Sequence, residues 1–408
     1  MIQWKETCIG DYHMATLKTS FLGIDFENPF LLASAPPTAL MESIDAAFEL
    51  GWGGAVIKTI TPDNLEMIEA SPRYAVLKEQ NKIIGFQNIE LLSHHTVKYW
   101  CEAINYLKKK HPTKIIIASI MAPVEQKAWQ DLVCTLNNTP ADAFELNFSC
   151  PHGMPEKGVG MAIGTNPEIS SQITAWVKAV AKKPVFVKLT PNVTDITRIG
   201  AVVEQAGADG LAAINTVQGF MGLDLETLQP NLNIDGQSTY GGCSGPMVRA
   251  IGLRCVTQLR NTTKLPILGQ GGISTWQDAA QYIAAGSDAL EVCTEVMLNG
   301  YGVIKNMKKG LLDYLERKGF ESINDLKDKA AKTITSHEAL HKKTYRVNPV
   351  IDKEKCVLCG KCALICRESE HQAITQTPQG MAVDLNKCVG CSLCKIVCPV
   401  QAIAMKAN

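Results

Sequence analysis

Two stretches near the C-terminus repeat one cysteine spacing: Cys356, Cys359, Cys362 and Cys366, then Cys388, Cys391, Cys394 and Cys398. Each run is C-x2-C-x2-C-x3-C. The short steps let a looping backbone aim three thiolates at one iron–sulfur cube, and the x3 step starts a helix that carries the fourth sulfur to the other cube. The spacing therefore predicts two [4Fe–4S] clusters, one held by Cys356, Cys359, Cys362 and Cys398, the other by Cys388, Cys391, Cys394 and Cys366. A zinc module would need only paired knuckles, and it leaves no use for a third cysteine at x2 and a fourth at x3. Pro399 follows Cys398 as the bacterial ferredoxin pattern expects, whereas Arg367 follows Cys366. The remaining cysteines of the fifteen are scattered over the first 300 residues, which is not the layout of a secreted disulfide framework.

A second set of reactive residue types lies upstream, each where an apolar run stops: Lys58, Asn147, Lys188, Asn215 with Thr216, Gly271 with Gly272, and Cys293 with Thr294. Two cations and two amides at such stops suit one anionic, hydrogen-bonding ligand. A glycine pair after an apolar run can offer backbone N–H groups to phosphate. Together they suggest a phosphorylated flavin, FMN, with a lysine stabilising the reduced ring. The segment Asn147-Phe148-Ser149-Cys150-Pro151-His152-Gly153-Met154, followed by Gly158, Gly160 and Gly164, adds a thiol among polar neighbours on a glycine-rich stretch that could close as a lid. Cys150 is read as a proton donor, which suits a near-normal or raised pKa.

The elements that must position these groups alternate. Strand candidates are Phe30–Ala35, Ala55–Thr59, Lys114–Ile120, Ala143–Phe148, Pro184–Leu189, Gly210–Asn215, Leu265–Gln270 and Ala289–Cys293. Amphipathic stretches such as Ser43–Leu50, Glu168–Ala181 and Gln277–Ala285 separate them. Eight βα units in about 300 residues predict an α/β fold, a (β/α)8 TIM barrel whose chemistry sits where the strands end, followed by a ferredoxin module. The expected division is a barrel over residues 1–320, a linker arm over 321–348 and a two-cluster module over 349–408. His337 and His341, four apart in the arm, could share a helix face; a solvated face is the plainer reading than a metal pair. Lys+Arg and Asp+Glu balance at 40 each, so nothing points to nucleic acid or a membrane surface. No apolar stretch suits a signal peptide or a span, and a cytoplasmic location is expected.

The segments "GWGGAVIKT", "FQNIELLS", "ELNFSCPHGM", "VKLTPNVTDI", "INTVQGFMGL", "STYGGCSG" and "GQGGIS" resemble, in order, the flavin barrel of dihydropyrimidine dehydrogenases within the dihydroorotate dehydrogenase superfamily. The resemblance runs from about Phe21 to Asn324 and resumes through the ferredoxin module, and the whole looks like the bacterial NAD-dependent members. It implies FMN contacts at Ser34, Lys58, Thr59, Lys188, Gly245, Gly271, Gly272, Cys293 and Thr294. It implies a pyrimidine among Asn88, Asn147, Ser149, Asn215 and Thr216, with hydride passing from flavin N5 to C6 and a proton from Cys150 to C5. Lys188 would face the N1/O2 edge of the flavin. His152 after Cys-Pro follows the uracil-reducing branch, where dihydroorotate dehydrogenases usually carry asparagine. Dihydroorotate oxidation is the nearer alternative; a non-catalytic electron-carrier subunit is the alternative of another class.

No G-x-G-x-x-G follows a strand; Gly158-Val-Gly160-Met-Ala-Ile-Gly164 has the wrong spacing. Eight barrel units and the ferredoxin module use up the length, and the chain starts close to the barrel. NAD(H) or NADP(H) is therefore expected on a partner subunit that binds FAD and the nicotinamide, with the catalytic unit a homodimer inside a hetero-oligomer.

Overall fold

A computed structural model describes residues 15–65, 68–150, 158–341 and 344–407. The chain forms two compact units, Met1–Ile334 and Thr335–Asn408.

In the first unit, eight parallel strands among the described residues close into a barrel. In chain order they are β1 (Phe30–Leu32), β2 (Gly54–Val56), β3 (Ile115–Ile120), β4 (Ala143–Asn147), β5 (Val185–Leu189), β6 (Gly210–Ala213), β7 (Ile267–Gln270) and β8 (Ala289–Val292). Neighbours in sequence are neighbours in the barrel, and β8 closes on β1. Each strand falls inside its sequence-derived run except β2, which begins one residue earlier, at Gly54. The runs are longer because residues such as Lys58 and Asn215 continue beyond the ladder into the loops that carry function.

Period-two alternation divides the strand residues. Phe144, Leu146, Val187 and Leu290 face the helices in the main core. Ala143, Phe186, Leu268, Ala289, Leu31 and Ile117 fill the barrel interior. A hairpin, Thr19–Phe21 with Ile24–Phe26, supplies Phe21 and Phe26 to that interior cluster. Phe21 meets Phe186 edge-on at 5.4 Å, an arrangement aromatic rings favour. Beyond this apolar layer the inward positions turn polar: Glu145, Lys188, Gln270 and Glu291, all buried. That switch along single strands marks the chemical end of the barrel.

The helices follow their amphipathic patterns with capped starts. Asn166 caps Pro167–Lys178 by accepting the Ile169 N–H at 3.1 Å. Thr275 caps Trp276–Ala284 in a reciprocal box with Asp278; such a cap is worth about 1 kcal/mol. Met41–Glu49 corresponds to the first predicted helix.

One sheet has no counterpart in the sequence reading. Tyr74–Glu79 and Lys82–Asn88 form a hairpin that pairs through Gly241–Ser244 with Val217–Gly219. Its turn, Gln80-Asn81, takes positive φ at both residues, the geometry of a tight hairpin turn. Residues 321–334 pack on the barrel unit: Thr16 N–H donates to Glu321 O, Ala330 N–H donates to Ala284 O, and Ile323, Leu326 and Ala331 are buried.

The second unit pairs Val347–Ile351 with Ile403–Ala407 and Ile374–Thr377 with Gly380–Val383, both antiparallel. Helices Lys361–Glu368 and Leu393–Ile396 each begin one residue before the third cysteine of a run; the first also contains the fourth, Cys366, and Cys398 follows two residues after the second. No helix among the described residues is long and apolar enough to cross a membrane.

Candidate active site and cluster cavities

A cavity opens where the barrel strands end. It is lined by Ser34, Lys58, Thr59, Asn88, Asn147, Cys150, Lys188, Asn215, Thr216, Gly245, Gly271, Gly272, Cys293 and Thr294. Every sequence-derived barrel residue reaches it except Ser149, which is fully buried behind it. The Ser149 hydroxyl donates to Asn147 Oδ1 (3.0 Å) and accepts from Asn215 Nδ2 (2.8 Å). In this structure its direct partners are therefore the two amides. Of the glycine-rich stretch expected to close as a lid, residues 151–157, His152 among them, lie outside the described residues.

A chain of hydrogen bonds crosses the strand ends. Ser34 and Thr59 hydroxyls meet at 3.0 Å, Thr59 and Ser119 at 3.0 Å, and Asn147 Nδ2 donates to Thr59 Oγ1 at 2.9 Å. Asn88 Nδ2 donates to Gly242 O at 3.1 Å. Each of the three amide nitrogens, on Asn88, Asn147 and Asn215, thus makes one hydrogen bond. A side-chain amide carries two N–H donors, so each has one left for a ligand and is already oriented.

The two lysines differ in charge setting. Lys58 Nζ donates to Glu90 Oε1 at 3.1 Å. Burial lowers its pKa, and the single carboxylate of Glu90 does not offset that loss. Glu90 is itself held by Tyr74, whose hydroxyl donates to Oε2 at 2.7 Å, and by Arg73 at 3.2 Å; Arg73 pairs in turn with Glu69. Lys188 is as deeply buried, but it lies 3.0 Å from Glu291 and 3.7 Å from Glu145. Burial alone would depress it; the two carboxylates together carry its pKa above the ordinary lysine value. Burial pushes Glu291 up to about 8, opposed by Lys188 and reinforced by Glu145. Burial likewise raises the Cys293 thiol to about 11.

Glu90, Tyr74, Phe86, Ser244, Gln270 and Glu291 also line the cavity and were not singled out from sequence. Phe86 and Tyr74 arrive on the unpredicted hairpin. The alternation of Tyr74–Asn88 about Gln80-Asn81 was the available signal.

The donor set fits FMN. After β7, Gly271 and Gly272 take φ +118° and +72°, and a Cβ on Gly272 would stand 2.6 Å from Gly245 O. The backbone here is a tight cradle that only glycine permits. Thr294 Oγ1 donates to Ser244 Oγ at 2.9 Å beside it. Two buried groups on the cavity wall, Thr216 Oγ1 and Gln270 Nε2, have no hydrogen-bond partner, a state that buried polar atoms seldom keep without a ligand.

In the second unit the cysteines gather around two cavities. One is lined by Cys356, Cys359, Cys362 and Cys398, the other by Cys366, Cys388, Cys391 and Cys394. Each cavity thus draws its fourth sulfur from the other run. Ala373 N–H donates to Cys366 Sγ and Ala402 N–H to Cys398 Sγ, both at 3.2 Å; N–H groups aimed at cluster sulfur tune its potential. Burial lifts the Cys394 thiol to about 11, so ligation there must release a proton. His337 and His341 have ring centroids 4.2 Å apart, and no third ligand joins them among the described residues.

The dihydroorotate dehydrogenase family profile matches residues 16–315, and a 4Fe-4S dicluster domain matches residues 349–405. The subunit PreA of the NAD-dependent dihydropyrimidine dehydrogenase of Escherichia coli is 38% identical over 89% of each chain. The chloroplastic dihydropyrimidine dehydrogenase (NADP(+)) of Arabidopsis thaliana is 37% identical over 80% of each. The catalytic subunit of dihydroorotate dehydrogenase B (NAD(+)) of Pyrococcus abyssi is 37% identical over 76% of this chain and 97% of its own.

Proposed function

The chain belongs to the dihydroorotate dehydrogenase family, and from that premise we propose that it is the catalytic subunit of a dihydropyrimidine dehydrogenase. This oxidoreductase reversibly reduces the C5–C6 double bond of uracil or thymine. The observation that carries the reading is the convergence of three pre-oriented amides, Thr216 and Cys150 on one cavity walled by Lys58 and Lys188. The Escherichia coli relative, 38% identical over 89% of each chain, is named for this activity.

A pyrimidine ring alternates C=O and N–H groups along its edge. The remaining N–H donors of Asn88, Asn147 and Asn215 match the carbonyls, and the Thr216 hydroxyl can accept or donate as the ring requires. Because the amides are already fixed, little orientation is lost on binding. Cys150 gives its proton to C5. The Lys58 ammonium, held by Glu90, then faces the thiolate and stabilises its charge in a cavity of low dielectric. Ser34, Lys58, Thr59, Lys188, Gly245, Gly271, Gly272, Cys293 and Thr294 would hold FMN, with the phosphate against the glycine turn and Lys188 toward the N1/O2 edge. Bound FMN would supply the hydride for C6.

The two cysteine sets would hold [4Fe–4S] clusters that supply electrons. A partner subunit carrying FAD and the NAD(P)H site would feed them; the name of the Escherichia coli relative as a subunit of an NAD-dependent enzyme supports this division. The catalytic unit would act in the cytoplasm as a homodimer inside a hetero-oligomer. The barrel would span residues 1–320 and the cluster module 349–408, with the arm 321–348 between them, of which 321–334 pack on the barrel unit.

Anaerobic turnover of the purified chain tests the reading, with reduced viologen as donor and uracil, thymine or orotate as substrate. Uracil or thymine reduction is expected, with no NADH-driven activity until a partner is added. Reduction of orotate alone would move the chain to the activity named for the Pyrococcus abyssi relative.

A further inference from the structure

Beneath the cavity, the barrel interior holds three charged side chains in a layer closed to water. Lys188 Nζ donates to Glu291 Oε2 at 3.0 Å and stands 3.7 Å from Glu145 Oε2; the lysine side chain is 4% exposed and both carboxylates are 0% exposed. Two acids therefore face one ammonium. With all three ionised, one negative charge would be buried without compensation, and a buried acid in that position takes up a proton instead. The hydrogen bonds point the same way. Glu145 Oε1, Glu145 Oε2 and Glu291 Oε1 are buried acceptors with no donor, and native interiors rarely leave such groups unmet. One proton held between Glu291 Oε1 and a Glu145 oxygen removes the uncompensated charge and satisfies two of these three oxygens.

We propose that the facing Glu145 and Glu291 carboxyls together hold one proton in the resting protein, shared between them, while Glu291 accepts from Lys188 on its other oxygen. Glu291 is thereby a positioning residue that fixes the Lys188 ammonium at the floor of the cavity. The proton stands on the barrel alone; the positioning role rests on the flavin reading of the cavity.

The groups that face Glu291 are few. Lys188 comes from β5 and Glu145 from β4, while Cys293 ends its own strand. From β2 the interior position is Val56, and Lys58 just beyond its end acts, like Glu90, on Cys293. The interior positions of β1, β3, β6 and β7 are Leu31, Ile117 and Ser119, Ala212, and Leu268 and Gln270, none of which titrates. The order of effects on Glu291, with burial first and Glu145 adding to it against Lys188, agrees with a retained proton.

The test reads the infrared C=O stretch of a protonated carboxylic acid on the purified full chain, with and without flavin. A band is expected at neutral pH that disappears as the pH passes about 8 and is missing from Glu291→Gln. The second readout is the midpoint potential of bound flavin against pH. In the wild type it should fall more steeply above that pH, as the triad gains a negative charge. Glu291→Gln reproduces both hydrogen bonds without the titrating proton, so it should keep flavin and the neutral-pH potential but lose the extra fall. Glu291→Leu should weaken flavin binding at least about tenfold, the loss expected when one charge-assisted bond is removed.

Absence of the band in the wild type at neutral pH overturns the proposal, as does a steepening that survives in Glu291→Gln. If the chain takes up no flavin, the infrared titration still decides the proton, and it is the flavin reading that fails. If Glu291→Gln does not fold, the wild-type titration decides alone.

Discussion

At the scale of single residues, the cavity separates groups by how their charge is held. Lys58 has one carboxylate partner and a depressed pKa; Lys188 has two and a raised one, although both side chains are equally removed from water. Cys150 sits on the wall with Lys58, so a thiolate formed there meets a cation. Replacing Cys150 by alanine removes the proposed acid and should lower kcat for uracil reduction by roughly 10²–10⁴-fold, the usual range for a positioned proton donor. Cys150→Ser should retain part of the turnover. Full activity in Cys150→Ala, measured anaerobically with reduced viologen, would refute the assignment. Lys58, Asn147 and Lys188 were legible in sequence because each stands where an apolar run stops, and Cys150 because it is a thiol among polar neighbours on a glycine-rich stretch. Glu90 and Glu291 were not. Glu291 lies inside such a run, and its meaning comes only from facing Lys188 and Glu145 across the barrel.

Among the elements, the glycine turn after β7 and the cluster-bearing helices carry the most specific consequences. Gly272 has φ +72°, and a Cβ there would meet Gly245 O at 2.6 Å and Arg249 N at 3.0 Å, both backbone atoms that cannot yield as a side chain could. Gly272→Ala should cost roughly 1–3 kcal/mol of backbone strain and release flavin from the purified protein, read as a drop in flavin-to-protein ratio. In the second unit, helix Lys361–Glu368 brings Cys366 to the cavity of the other run. Cys366→Ser should therefore disturb the cluster of Cys388, Cys391 and Cys394 and spare the one beside it, taking iron content down by about half. Loss confined to the cluster of Cys356, Cys359 and Cys362 would contradict the exchange of the fourth ligand. The hairpin Tyr74–Asn88 escaped the reading because the search was for parallel strands separated by helices, and a two-stranded ribbon inserted after β2 breaks that rhythm.

For the whole molecule, the triad inside the barrel ties stability to pH with a definite sign. Burial lifts Glu291 above its ordinary value of 4.5, so between the unfolded and folded values the folded chain holds a proton that the unfolded chain releases. Stability from this group is full below the lower limit and declines as pH rises through the window. Glu291→Gln should flatten that decline relative to the wild type, measured as thermal midpoints of the barrel unit across the window. Equal pH slopes in the two proteins would remove the group from the account. The sequence by itself determined which four cysteines line each cavity of the second unit and the order of eight βα units, because covalent spacing and local periodicity are written along the chain. It also determined which residues stand at strand ends, since an apolar run that stops at a polar residue is a one-dimensional signal. Only the tertiary structure decided which of those ends share a cavity, that Ser149 supports the amides from behind, and that three charges on β4, β5 and β8 form one buried set. Barrel closure brings together residues as far apart as Glu145 and Glu291, and no local pattern encodes the distance between them.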